Sequence, residues 1–177
     1  MKKLFTLLAL TITFSMNAQV STTGTTASGD NSTAMGESTE ASGGVSTAMG
    51  FETEASGEYS TAMGRSTTAS GNYSTAMGYY TTASGTVSTA MGNGTTAFGI
   101  RSTAMGSFTA ASDFASVVIG QFNSSGSSVT NNAASFSTSN TAFVIGNGTA
   151  SNAKSDAFKV MFNGDAYISS SLYLGGT

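Results

Sequence analysis

A 14-residue period constrains the fold of this sequence more than any other feature. The segment Ser32-Thr33-Ala34-Met35-Gly36 recurs at that spacing as far as Ser102–Gly106, and a drifted copy follows at Ser116–Gly120. A second unit with the same period, Ala27-Ser28-Gly29, lies between these copies. A short period kept over seven consecutive units indicates a solenoid in which each coil covers the next. A composition rich in Gly, Ser and Thr would also suit a disordered chain, but disordered segments do not keep a register.

Each coil divides into two five-residue segments joined by two-residue turns. Because side chains alternate along a strand, Ser32, Ala34 and Gly36 share one face, whereas Thr33 and Met35 share the other. Small residues on the facing sides let the two strands approach closely. We therefore predict an all-β chain that forms a parallel β-roll, a solenoid of 14-residue coils with a thin interior of Ala, Gly, Ser and Thr. Stacked Ser hydroxyls are expected to hydrogen-bond along the roll.

The outward side chains of the two strands differ in polarity. One strand carries Met beside Thr, and an apolar ladder of this length is expected to be covered by a partner, in a closed homo-oligomer. The predicted subunit interface consists of Thr33, Met35, Thr47, Met49, Thr61, Met63, Thr75, Met77, Thr89, Met91, Thr103, Met105, Val117 and Ile119. The predicted ligand-facing surface consists of Thr26, Glu40, Glu54, Thr68, Thr82 and Thr96, with Tyr59, Tyr73, Tyr79 and Tyr80 at the turns. Two interpretations of the turn aromatics stay open: packing at the edges of the oligomer, or contact with a glycan or protein.

The two half-repeats resemble the head repeats of trimeric autotransporter adhesins, the YadA-like or haemagglutinin-type heads, over about residues 25–122. In that family the motif reads Asn-Ser-Val-Ala-Ile-Gly, and Asn31–Gly36 keeps its Asn, Ser, Ala and Gly. The resemblance implies a left-handed roll, a homotrimer whose Val and Ile positions face the other subunits, and an adhesin that binds an extracellular protein or glycan. Collagen binding is linked to this motif in the family. The position of Asn31 is occupied in later copies by Val45, Tyr59, Tyr73, Val87 and Arg101.

Residues 1–19 have the pattern of a cleaved secretory signal peptide. Lys2 and Lys3 precede an apolar stretch, Leu4–Phe14, that is too short to span a membrane. A structural first helix is the alternative, although no apolar partner for it follows. Removal of two of the six basic residues leaves four against nine acidic ones, so the mature chain has a net charge of −5. We expect an exported protein at the cell surface or outside the cell, with no membrane span in the mature chain and no nucleic-acid partner.

The repeat loosens after the β-roll predicted over residues 20–122. Residues 123–140 are predicted to form a Ser/Asn-rich loop or irregular coil, and residues 141–177 a capping segment with a β-hairpin. Phe143–Gly146 echoes Val117–Gly120, so we expect the roll to resume or to be capped there. Asn163-Gly164 predicts a type I′ turn. Because neither a heptad stalk nor membrane strands follow, a fragment, a secreted head and attachment through another protein all stay open.

The composition argues against an enzyme. The chain contains no His and no Cys, and a thin roll has no cleft, so we expect no catalytic residues, no cofactor and no metal site. A weak cation site at Glu40 and Glu54 is the alternative to a solvated acidic face. Besides the adhesin head, two functions remain: an ice-binding solenoid whose Thr ladder orders water, and the structural head of a surface or tail-fibre-like protein. The oligomeric state distinguishes the adhesin head from the ice-binding solenoid, because a subunit interface would cover the Thr ladder.

Overall fold

A computed structural model describes residues 19–21, 23–126 and 132–169, and it shows two sheets that face each other across a narrow interior. The predicted signal peptide therefore lies outside the described residues, except for Gln19. The first sheet contains β1 (Gln19–Ser21), β3 (Thr33–Glu37), β5 (Thr47–Phe51), β7 (Thr61–Arg65), β9 (Thr75–Tyr79), β11 (Thr89–Asn93), β13 (Thr103–Ser107), β15 (Val117–Gln121), β16 (Thr141–Asn147), β17 (Asp156–Met161) and β18 (Ala166–Ile168), in that order. The second sheet contains β2 (Thr26–Ala27), β4 (Glu40–Ala41), β6 (Glu54–Ala55), β8 (Thr68–Ala69), β10 (Thr82–Ala83), β12 (Thr96–Ala97) and β14 (Ala110–Ala111).

The parallel β-roll predicted from the period is confirmed. Equivalent residues of successive coils pair in register, so that Thr61 lies beside Thr75 and Met63 beside Met77. The long strands begin and end one residue later than predicted, and the five-residue strands expected on the other side shorten to two residues. The chain bends there because the amides of Ser28 and Gly29 both donate to the carbonyl of Ala41, which ends the regular ladder. The left hand of the roll stays a prediction.

The interior is built from one methyl group and one hydroxyl group per half-coil. Buried Ala residues recur every seven positions from Ala34 to Ala111, alternating between the two sheets, and Val118 and Val144 follow. Buried Ser and Thr residues recur at the same spacing, from Ser32 and Thr39 onward. A methyl or methylene group contributes only about 0.8 kcal/mol when it is buried. The roll therefore gains its stability from the repetition of many small contacts and from the ladder of backbone hydrogen bonds.

The expectation that stacked hydroxyls would hydrogen-bond along the roll is wrong. Twelve buried hydroxyl oxygens have no hydrogen-bond partner within the described part of the chain: those of Ser32, Thr39, Ser46, Thr53, Ser60, Thr67, Ser74, Thr81, Ser88, Thr95, Ser102 and Thr109. Neighbouring coils lie about 4.8 Å apart. A hydroxyl–hydroxyl hydrogen bond needs about 2.8 Å. Equivalent hydroxyls that repeat with the coils are therefore too far apart to bond to each other.

Glycine is required where successive coils come into backbone contact. Gly64 ends its repeat with a φ of 126°, and a Cβ added there would overlap the carbonyl oxygen of Gly78 in the next coil. Gly57 needs no positive φ, but a Cβ on it would overlap the carbonyl oxygen of Gly71. The repeated glycines therefore serve two purposes: an unusual backbone angle in one half-repeat and close approach of the backbones in both.

Where the 14-residue period ends, polar side chains take the place of a further strand beside the last strand of the second sheet. The Asn123 side chain accepts a hydrogen bond from the amide of Ala110 at 2.8 Å and donates to its carbonyl at 2.9 Å, as the backbone of a further strand would. Asp113 stands at a position that is Gly in earlier coils, and its carboxylate accepts a hydrogen bond from the amide of Thr141 at 2.9 Å. A side chain fits there because β14 is the last strand of its sheet.

The first sheet continues in the segment where we expected the roll to resume or to be capped. β16 pairs parallel to β15, with Val117 beside Phe143 and Ile119 beside Ile145. β17 then pairs antiparallel to β16, and β18 antiparallel to β17.

The predicted type I′ turn between β17 and β18 is wrong. Gly164 has a φ of 95°, whereas Asn163 has no positive φ, which a type I′ turn would require. The Gly164 amide donates to the Met161 carbonyl at 3.0 Å, and the Met161 amide donates to the Asp165 carbonyl at 2.9 Å. This pattern is a type I turn followed by a glycine bulge, and it is stabilised by the hydrogen bond from the Asp165 amide to the Asn163 side chain.

The unpaired hydroxyls predict an unusual response to substitution. In Ser60→Ala the variant loses no hydrogen bond, so the free energy of unfolding should stay unchanged or rise by up to about 1 kcal/mol. Ser116 is the matched control, because its hydroxyl donates to the Asp113 carbonyl at 2.8 Å. Ser116→Ala should therefore lower the free energy of unfolding by about 1 kcal/mol. Chemical denaturation of both variants measures the difference, and equal losses would contradict the assignment of unpaired hydroxyls.

Candidate interaction surfaces

The outward face of the first sheet carries the predicted Thr and Met ladders, and we call it the Thr/Met face. Its Thr and Met residues are half-buried within the single chain and stand in register along the sheet. Val117 and Ile119 continue the ladders as expected. The structure adds Phe143 and Ile145 of β16, which sequence analysis did not include. The echo of Val117–Gly120 at Phe143–Gly146 was the signal that could have identified them.

The outward face of the second sheet is polar. Glu40 pairs with Glu54 in register, and both side chains are exposed. Thr68, Thr82 and Thr96 continue the same ladder and are half-buried. The two outward faces therefore differ in polarity as predicted, and they lie on opposite sides of the roll.

The structure does not bring the predicted ligand-facing residues together on one surface. Each long strand runs from one edge of the roll to the other, so residues that precede it and residues that end it lie on opposite edges. We call the position two residues before the start of each long strand the leading edge; its members are Asn31, Val45, Tyr59, Tyr73, Val87, Arg101 and Ala115. We call the last position of each long strand the trailing edge; its members are Glu37, Phe51, Arg65, Tyr79, Asn93, Ser107 and Gln121. Tyr80 follows the trailing edge directly.

The leading edge carries a column of exposed apolar side chains. The rings of Tyr59 and Tyr73 stack at a centroid distance of 5.0 Å and an interplanar angle of 7°. Val45 and Val87 flank them in the neighbouring coils and are 48% and 50% exposed. Stacking along the roll orders this column, because the in-register coils repeat the same side-chain position at each level.

The trailing edge combines aromatic rings with one cation. The guanidinium carbon of Arg65 lies 5.4 Å from the ring centroid of Phe51 and 5.5 Å from that of Tyr79, which are cation–π distances. Tyr79 and Tyr80 are tilted against each other at a centroid distance of 4.3 Å. A side-chain hydrogen bond with Tyr80 raises the pKa of the Tyr79 hydroxyl. In these coils the edge presents an ordered aromatic column that contains one guanidinium group.

The backbone of the leading edge is unfavourable for the residues that occupy it. Every member has a positive φ, from 55° at Asn31 to 61° at Arg101. Asn tolerates this left-handed conformation, whereas a branched residue such as Val45 or Val87 does not. A strained φ of this kind costs about 1–3 kcal/mol. The chain therefore keeps large apolar residues at positions where Asn31 shows that a better residue would fit.

A separate open pocket of about 290 Å³ lies where the loop after β15 meets the C-terminal hairpin. The Asp156 carboxylate accepts hydrogen bonds from the Ser124 amide and hydroxyl at 2.8 and 2.7 Å, and from the Ser125 amide at 2.8 Å. Lys154 and Lys159 also line the pocket, and the ammonium group of Lys159 lies 4.3 Å from the ring centroid of Tyr167. Burial raises the pKa of Asp156, but the hydrogen bonds from Ser125 and Ser124 outweigh this and hold the pKa below its ordinary value.

Replacement of Asp156 by Asn should release the loop from the hairpin. The variant keeps the size of the side chain but loses the charge and one hydrogen-bond acceptor. We expect hydrogen exchange of the Ser124 and Ser125 amides, relative to the unfolded chain, to accelerate roughly tenfold, which corresponds to about 1.4 kcal/mol. Asp165→Asn is the control, because the Asp165 carboxylate accepts a hydrogen bond from the Asn163 side chain within its own exposed turn.

The lowered pKa sets the pH dependence of the same contact. A carboxyl group whose pKa is lower in the folded state stabilises that state fully above its ordinary pKa of 3.8, and the stabilisation is lost as the pH falls through the lowered value. The parent protein should therefore show the faster exchange only in acid, whereas Asp156→Asn shows it at neutral pH. Unchanged exchange in both cases would contradict the assigned role of Asp156.

The described residues include neither a metal-binding cluster nor a membrane-spanning helix. No three or more His, Asp or Glu side chains converge there in a way that could hold a metal ion. The same residues include no helix that is long and apolar enough to span a membrane.

The described geometry defines a class of protein: a parallel β-solenoid with two strands per 14-residue coil, one polar outer face and one Thr/Met face. A comparison with known protein families indicates which family of this class the repeats match. The family described as YadA head domain repeat (2 copies) matches residues 27–53, 55–81 and 83–109, which are three consecutive pairs of coils. Residues 27–109 of the repeat array therefore match the YadA head domain repeat, and the resemblance found in the sequence is confirmed. No curated protein matches the chain.

Proposed function

We propose that this chain forms the trimeric head of an adhesin that is exported to the cell surface and attaches the cell to a host, a matrix or other cells. The observation that carries the proposal is the Thr/Met face, because it continues without interruption from β3 through β16 in an array of YadA head repeats. A face of that length with large half-exposed apolar side chains needs a covering partner. A second copy of the same chain provides a face with the same repeat length.

Threefold association suits the composition of this face. Thr33, Met35 and their equivalents, through Val117 and Ile119, would surround the axis. Met has an unbranched, flexible side chain, so three copies at each level can fill an irregular seam. The hypothesis of an ice-binding surface requires the Thr ladder to be exposed. The Met ladder beside it favours contact with protein instead.

The opposite, polar face would then point away from the axis and toward ligands. Glu40, Glu54 and the Thr ladder of the second sheet are the candidates for contact with an extracellular protein or glycan. Export rests on the predicted signal peptide, residues 1–19. We propose no catalytic activity and no cofactor for this head.

Charged substitutions on the two faces test the proposed assembly. Met63→Asp combined with Met77→Asp would place six charges around the axis, two from each of three chains, and unpaired buried charge is costly enough to prevent assembly. We expect this double variant to be monomeric by light scattering. The matched control, Thr68→Asp with Thr82→Asp, places the same charges on the polar face and should remain trimeric.

Two results would contradict the proposal. A trimeric Met63→Asp/Met77→Asp variant would show that the Thr/Met face is not the interface. A monomeric parent protein would show that the Thr ladder is exposed in solution, which would favour the ice-binding hypothesis.

A further inference from the structure

We infer that, in the assembled trimer, the leading edge of each subunit packs against the trailing edge of the next, through Val45, Tyr59 and Tyr73. This inference rests on the proposed threefold association and adds a second contact to it. The two edges face neighbouring copies of the same chain, so the partner is a second copy and the interface is formed by two different surfaces.

The geometry of three rolls around an axis brings these edges together. If the Thr/Met face of each subunit points to the axis, the long strands run around it, and the end of one strand faces the start of the next subunit's strand. A five-residue strand spans about 17 Å. Three such strands arranged as a triangle leave about 5 Å between each sheet and the axis, which is half of the roughly 10 Å that separates packed sheets. The Met side chains can therefore fill the centre while the edges meet.

Cyclic symmetry also constrains which residues meet. It places equivalent residues of the three chains at one height, and the inference pairs each leading-edge residue with the trailing-edge residue of the same long strand, six positions later in the sequence. Val45 then faces Phe51 of another copy, an apolar pair. Tyr59 faces Arg65, which provides a cation–π contact. Tyr73 faces Tyr79, an aromatic pair.

The coils on either side of these three pairs show where the complementarity between the two edges ends. Toward the N-terminus, Asn31 would face Glu37, a polar pair that can hydrogen-bond. Toward the C-terminus, Val87 would face Asn93, a mismatched pair. The complementary contacts thus lie in consecutive coils, and the apolar column of the leading edge extends one coil beyond them.

Strained backbone beneath exposed side chains occurs at both edges that the proposed contact joins, since Tyr80 and Phe108, which directly follow trailing-edge residues, also have positive φ values. Val45, Tyr59 and Tyr73 have φ values of 56°, 56° and 59°, where Asn would be accommodated more easily. Their exposed fractions are 48%, 47% and 56%, so burial within the single chain does not offset the strain. Contact with a neighbouring copy would offset it. Strained residues that persist without local compensation are typical of sites with a function.

Two valine substitutions form a matched pair that separates this contact from the strain. Val45→Asn and Val87→Asn start from the same residue type, with φ values of 56° and 60° and exposed fractions of 48% and 50%. Both relieve the strain equally. Only Val45 is expected to face an apolar residue of another copy. The thermal midpoint of the trimer should therefore be lower in Val45→Asn than in Val87→Asn, by roughly 5 °C or more.

Disulfide cross-linking tests the register directly, because the chain contains no Cys. The variant Tyr59→Cys/Arg65→Cys places the two thiols on opposite edges of one chain and, in the proposed trimer, next to each other on different chains. Oxidation should link three chains covalently, as seen by denaturing electrophoresis without reductant. The control, Tyr73→Cys with Phe51→Cys, offsets the thiols by two coils, or about 10 Å, which exceeds the Cα separation of at most about 7 Å that a disulfide spans.

The outcomes distinguish this inference from the proposed function. A monomeric parent overturns both. A trimeric parent in which Val45→Asn and Val87→Asn have equal midpoints, and in which the Tyr59/Arg65 pair links no better than the offset pair, overturns the edge contact alone. In that case the stacked tyrosines are free to contact a glycan or protein ligand.

Discussion

The closeness of the two sheets limits every other feature of this molecule. Along the repeat array the interior between the sheets admits only methyl and hydroxyl groups, and the larger buried side chains, such as Val118, Asn123 and Asn140, lie where the array ends. A roll this thin cannot bury larger side chains inside. The large apolar residues are therefore displaced to the outer face and the edges, where they are available to other molecules. This displacement is the physical basis of the proposed association of copies of the chain.

The repeated interior also means that the fold extends in one direction only, along the stack of coils. Each coil contacts its neighbours, and identical residues pair in register, so a favourable or unfavourable contact is repeated at every level. The end of the array needs a different solution. Asn123 and Asp113 supply side-chain groups where a further coil would supply backbone, and β16 to β18 close the first sheet. Asp156 then holds the loop against the hairpin.

The period predicted the parallel roll and the direction of each side chain, because an in-register solenoid depends only on spacing and alternation. The similarity of Phe143–Gly146 to Val117–Gly120, rather than the period, indicated that the roll resumes or is capped there. Details that depend on absolute distances were not predictable in this way. Sequence alternation placed the Ser ladder inside correctly but could not reveal that its hydroxyls are too far apart to bond. It assigned Tyr59 and Tyr79 to turns without showing that these turns lie on opposite edges. Asn123, whose side chain imitates a strand, carried no sequence signal beyond its place in a Ser/Asn-rich segment.

The central claim is that copies of this chain cover the Thr/Met face of the assembled protein. Met oxidation by dilute peroxide, followed by mass spectrometry of individual peptides, tests it directly, because each accessible thioether is converted to a sulfoxide. The account predicts that Met35, Met49, Met63, Met77, Met91 and Met105 are all oxidised much more slowly in the native protein than in the unfolded chain. Oxidation of these six residues at the rate of the unfolded chain would show that the face is open to solvent and would contradict the account.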